Sequence, residues 1–159
     1  MNRILKLPDT ARVWIYQSNR PFSKEEVSQL NEKLEQFAVS WASHGLDLVA
    51  TGEILHNRFV VLAVDQQQAG ASGCSIDSSV RFIKELEATY DINLFDRMLF
   101  AYELDGAVHA ASRDEFGVLY AKGKINDHTT VFNNLVDTVG ALRDNWKVQL
   151  SKSWHANMV

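Results

Sequence analysis

Residues 58–65 read RFVVLAVD, with six apolar residues in a row between Arg58 and Asp65. The run is far too short to cross a bilayer, which takes about 20 residues, and its β-branched content makes it a strand. A strand with one wet face alternates apolar and polar residues, whereas an unbroken apolar strand is buried on both faces. This segment is therefore expected as a fully buried strand.

The neighbouring segments supply its company. LDLVATGEIL (residues 46–55) is a second strand-like run, and the short break at His56 and Asn57 makes the two runs a hairpin. ARVWIYQS (residues 11–18), bounded by Pro8 and by NRPFS, is another strand, expected as a central one. Between them Ser23 and Glu26 have capping-box spacing, and Val27, Leu30, Leu34, Phe37 and Trp41 step by three and four to form one apolar stripe. This helix is expected to end at Gly45. After the hairpin, the small-residue loop QQQAGASG opens a second helix, with Val80, Ile83, Leu86 and Tyr90 turned to the core. RMLFAYEL (residues 97–104) returns as a strand, and Asp105-Gly106 turns it into AVHAAS.

Strand, helix, strand, strand, helix, strand is the split βαβ arrangement of ferredoxin-like folds. The expected class is therefore α+β: a ferredoxin-like sandwich of order β-α-β-β-α-β over residues 1–104, with a small C-terminal α/β extension over residues 105–159 packed on it. The first and third strands are expected as parallel neighbours, with both helices on one face. In the extension, Ser112 and Glu115 form a second capping box, Gly123 closes the short helix, TTVFNNLV is a short strand, and Trp146 and Trp154 lie in the tail.

A chain of 159 residues, 46% hydrophobic and 23% charged, can bury a self-sufficient core. The formal charge of −4 and the lack of a Lys/Arg run remove the electrostatic drive for nucleic-acid binding. No signal-like apolar core follows the basic start MNRILKLPDTARVW, and no membrane-spanning run exists, so the expected location is the cytoplasm. The single cysteine, Cys74, cannot form a disulfide within this chain.

Ligands of open α/β sheets gather at the C-terminal ends of strands. Parallel first and third strands would bring together there Tyr16, Gln17, Ser18, Asn19 and Arg20 from one loop, and Asp65 with Gly70 to Asp77 from another. The candidate ligand-binding residues are accordingly Tyr16, Ser18, Asn19, Arg20, Asp65, Gly73 and Ser75. Two helix N-termini and the Arg20 guanidinium favour an anion. Cys74 is the candidate nucleophile, because a thiol at a helix start can be acidified, with His155 or His44 as its base. Asp77 in the same turn opposes a thiolate, and free cysteines are commonly buried.

The five histidines (His44, His56, His109, His128 and His155) have no ligand spacing, and the Glu53/His56 pair falls on a strand and turn, so no metal is expected. GVLYAKGKI departs from a phosphate loop by one residue of spacing and by Ile125 in place of the magnesium-binding hydroxyl. No dinucleotide or serine-hydrolase pattern occurs, and no cofactor is expected.

Taken together, VWIYQSNRPFS, HNRFVVLAVD, GASGCSID, INLFDR, VFNNLV and SWHAN resemble a family of small bacterial proteins sometimes labelled ABC transporter ATPase, over nearly the whole chain. The label implies nucleotide hydrolysis, but the sequence has no Walker A loop, Walker B context or signature motif, so ATPase activity is not expected. The resemblance implies no catalytic residue. EFGVLYAKGKINDHTTVF looks like part of GYF-like adaptor modules, with Gly123, Ile125, Thr129 and Val131 at the matching spacing, and implies an interaction unit.

The function expected first is non-enzymatic binding of a small anionic ligand or a protein partner, in a domain whose sheet edges suit a homodimer. The second is thiol-dependent catalysis by Cys74 with His155. The third is peptide binding through an exposed aromatic cleft around Phe132, Trp146 or Trp154.

Overall fold

The apolar run is the middle strand of a three-stranded sheet in the computed structural model, which describes residues 3–43, 49–65 and 73–159. Strand β3 (Phe59–Asp65) is flanked by β1 (Arg12–Gln17) on one side and β2 (Val49–Leu55) on the other, and both pairings are antiparallel. Phe59 to Val64 are all 0% exposed. Two different cores explain this. Val60, Leu62 and Val64 pack with Leu30, Leu34 and Trp41 of α1 (Lys24–Ser43) and Ile83 and Leu86 of α2 (Gly73–Tyr90). Phe59, Val61 and Ala63 face the other way and pack with Ala101, Phe132 and Trp146.

Local rules account for the ends of these elements. His56 and Asn57 take φ of 52° and 54°, and the Arg58 N–H donates to the Leu55 carbonyl at 3.1 Å, closing the tight turn from β2 into β3. Ser23 Oγ accepts from the Glu26 N–H at 3.1 Å while the Glu26 carboxylate accepts from the Ser23 N–H at 3.0 Å, closing the capping box of α1. Phe37 of α1 stacks on Phe82 of α2, with ring centroids 4.2 Å apart, and joins the two helices. Gly45 lies outside the described residues.

The second sheet has the order β5-β4-β6-β7 and is also antiparallel, from β4 (Leu99–Leu104), β5 (Ala107–Ser112), β6 (Thr130–Phe132) and β7 (Lys147–Gln149). Asp105 and Gly106, with φ of 53° and 77°, turn β4 into β5. Helix α3 (Arg113–Ala121) starts at the Ser112/Glu115 capping box, and Gly123 follows its end at φ 73°. Its Phe116 packs with Phe100, Tyr102 and Val131 on the outer face of this sheet. Helix α4 (Val139–Asn145) begins at a Thr138 cap and lends Val139 and Leu142 to the core between the sheets. The chain is thus mixed α+β, with two antiparallel sheets, α1 and α2 packed on the first and α3 on the second. No helix among the described residues is long and apolar enough to cross a membrane.

Three expectations are corrected. β1 and β3 are antiparallel neighbours, not parallel ones, and β1, expected as a central strand, lies at the edge of the sheet because β3 takes the middle. Helix α1 returns the chain so that β2 runs the same way as β1, and the tight hairpin then reverses it into β3. The third correction concerns β4, which sits between β5 and β6 and does not extend the first sheet. On the side of β1 away from β3, the only bridge among the described residues joins Arg12 to Thr138.

Candidate functional site

Because β4 belongs to the second sheet, a groove of about 540 Å³ is left along the outer edge of β1, within the ~300–1,000 Å³ range of small-molecule sites. Trp14 and Tyr16 line it from β1, Ile76 and Val80 from α2, and Phe95 and Leu135 from the two loops opposite. Tyr16 meets Phe95 edge-on at 5.5 Å between centroids. Ile76, Phe95 and Leu135 are 40%, 40% and 66% exposed, so the opening of the groove is apolar.

Side-chain amides hold the loop at 133–134 in place. The buried Gln17 donates from Nε2 to the Leu99 carbonyl at 3.1 Å and accepts at Oε1 from Asn134 Nδ2 at 2.9 Å. Asn134 Oδ1 in turn accepts from Trp146 Nε1 at 2.9 Å, and Asn133 Oδ1 accepts from Trp154 Nε1 at 3.0 Å. A satisfied relay of this kind rigidifies the wall and gives a groove of defined shape.

Charge is confined to the rim, where Arg12, Asp96, Arg97 and Asp137 lie. The Arg12 guanidinium sits 5.2 Å from the Trp14 ring centroid. Arg97 is exposed and forms no ion pair with any described residue. Burial raises the Tyr16 phenol above its ordinary value, against the opposing influence of Ser79 and of the Arg97 charge, so Tyr16 stays a neutral hydroxyl. His155 also lines the groove. Its Nδ1 is 2.6 Å from Ser153 Oγ, its ring stacks on Trp154 at 3.7 Å, and it meets Phe100 edge-on at 5.5 Å. Burial lowers its pKa to about 4, which makes it a weak base near neutral pH.

Of the residues expected from the sequence, Tyr16 and His155 come together in this groove. Ser18 is fully buried, donating its N–H to the Arg58 carbonyl at 2.8 Å and accepting at Oγ from the Arg20 N–H at 3.2 Å. Asn19 Oδ1 accepts from the Asn93 N–H at 2.9 Å. Arg20 grips Glu26 with both terminal nitrogens, at 2.9 and 2.8 Å, and also donates to the Tyr90 carbonyl at 2.9 Å. These three residues fasten loops and helices to one another, and the Arg20 guanidinium is already engaged. Asp65 is elsewhere: it pairs with Val49, whereas Gln17 pairs with Phe59 at the other end of β3, ~20 Å away at the rise of a strand. The antiparallel pairing is the reason that the two expected loops do not meet. Gly73, Cys74 and Ser75 form the first turn of α2, but the side chains of Cys74 and Ser75, and all of His44, lie outside the described residues.

Of the three residues expected around an aromatic cleft, Phe132 and Trp154 line this groove. Trp146 and Phe132 are 0% and 1% exposed and pack on each other at 5.0 Å in the core between the sheets. Sequence reasoning missed Arg97 and Phe95. Their signal was a segment, INLFDRM, in which Phe95 and Met98 stand among charges in a connection too polar to be core. Comparison with protein-family models, with curated proteins and with solved structures gave no match.

Proposed function

We propose that this protein binds, without chemical conversion, a small anionic ligand with an apolar body, held in the groove beside β1. The observation that carries this reading is Arg97, a cation with no ion-pair partner among the described residues, at the rim of an apolar groove of small-molecule size. A guanidinium there gives a carboxylate or phosphate two parallel hydrogen bonds, while Trp14, Tyr16 and Phe95 cover the apolar part. On the same reading, β1, α1, β2, β3 and α2 are a ferredoxin-like unit, and the groove is the place of its fourth strand.

The test is a titration of ¹⁵N-labelled protein with 4-phenylbutyrate, followed by amide shifts. Saturable shifts are expected at Tyr16, Phe95 and Leu135, with affinity falling about ten-fold in Arg97→Ala, as suits one charge-assisted contact. Shifts scattered over the surface, or an affinity unchanged in Arg97→Ala, would remove the support for this reading.

A further inference from the structure

The edge of β1 that faces the groove has its own hydrogen-bonding pattern. The Val13 N–H donates to the Asp137 carbonyl at 3.0 Å, so odd-numbered residues of β1 direct their backbone groups away from β3. The Ser18 N–H, directed toward the Arg58 carbonyl at 2.8 Å, confirms the opposite sense for even-numbered ones. This outer edge is closed at one end by the Val139 N–H on the Ala11 carbonyl and at the other by the Asn19 N–H on the Asn93 carbonyl. Between these closures, no described residue bonds the Val13 carbonyl, the N–H and carbonyl of Ile15, or the Gln17 N–H. The Gln17 side chain is occupied with Leu99 and Asn134 and does not cap them.

Resting on the reading above, we propose that the ligand is a short extended peptide with a free carboxylate, added to the β1 edge through the N–H and carbonyl of Ile15. A row of alternating donors and acceptors at strand spacing is matched by another peptide backbone, as in other strand-addition sites. From Val13 to Gln17 the open edge is ~13 Å long, which accommodates about four residues. The closures at Asn93 and Asp137 stop a longer strand, including β1 of a second copy, from running through. Alternate side chains of the peptide would meet Tyr16 and Phe95 on one side and Ile15 and Leu135 on the other, and Arg97 would take the carboxylate.

The experiment compares a pool of N-acetylated tetrapeptides built from Val, Leu and Phe with 4-phenylbutyrate on the ¹⁵N-labelled full chain. The peptides are expected to bind more tightly, to move the Ile15 amide proton downfield and to slow its exchange with solvent. Methylating the backbone nitrogens of the bound peptide should cost at least about ten-fold, the loss of one or two hydrogen bonds. Arg97→Ala should weaken peptides with a free carboxylate and leave their amidated forms unchanged. If 4-phenylbutyrate binds but the peptides do not, or the peptides bind without affecting Ile15, the inference is overturned and the broader reading stands. If neither ligand shifts a groove residue, both fall. Slowing of Ile15 exchange with protein concentration alone, without peptide, would assign the edge to a second copy and overturn the inference.

Discussion

Gly52 shows how little space separates α1 from β2. A Cβ at this position would stand 3.0 Å from Leu62 Cδ2 and 3.2 Å from Leu34 Cβ, so the helix rests directly on the backbone of the strand. Gly52→Ala is expected to destabilise by about 1–3 kcal/mol through overpacking, measured by urea unfolding. An unchanged midpoint would mean that α1 can lift away freely. Gln17 makes a second test. Gln17→Leu would leave the Leu99 carbonyl and Asn134 Nδ2 without their buried partner, at a cost of about 1–3 kcal/mol. Equal stability in the variant would show that the relay does not hold the wall. Residues of this kind are hard to read in advance, because Gln17 and Arg20 are polar residues in a loop-flanking position whatever they touch. Arg20 reads as an anion clamp until the Tyr90 carbonyl, far along the chain, is seen beside it.

Among elements, the start of α1 is densely tied. Glu26 accepts from the Ser23 N–H and from both terminal nitrogens of Arg20, and the Arg20 hydrogen bonds hold its carboxyl at about 2, well below the ordinary 4.5. A folded-state value below the unfolded one stabilises above pH 4.5, and that stabilisation is lost as pH falls toward 2. Glu26→Gln should therefore lower stability by about 1 kcal/mol at neutral pH, the pair being partly exposed, and should flatten the unfolding curve between pH 4.5 and 2. A variant whose acid limb matches the parent would show that the clamp contributes nothing. Capped helix starts and left-handed hairpin turns were legible because each is written within three or four residues. Helix α4 and strand β7 were not, since seven and three residues span too few periods to stand out.

For the molecule as a whole, burial of two histidines against the aromatic cores makes acid sensitivity a histidine property before it becomes a carboxylate one. Burial lowers His155 to about 4 and also lowers His56, which is set among Phe59, Phe132 and Trp146. The unfolded chain then binds more protons than the folded one below pH 6.5, so stability falls as pH drops from about 6.5 to 4, by up to ~3 kcal/mol for His155. Melting temperatures across this window should decline in the parent and decline less in His155→Phe. Parallel curves would mean that His155 is solvated. From the sequence alone came the full burial of residues 59–64, both hairpins and the capped starts of α1 and α3, since an unbroken apolar run, turn conformation and capping are all written between near neighbours. Only the tertiary structure decided that β4 leaves β1 for a second sheet, and with it that Tyr16, Phe95, Arg97 and His155 share a groove. The pattern of β4 suits either sheet edge; the choice rests on burying Phe100 and Tyr102 with Phe116 and Val131, contacts that form only when distant segments fold together.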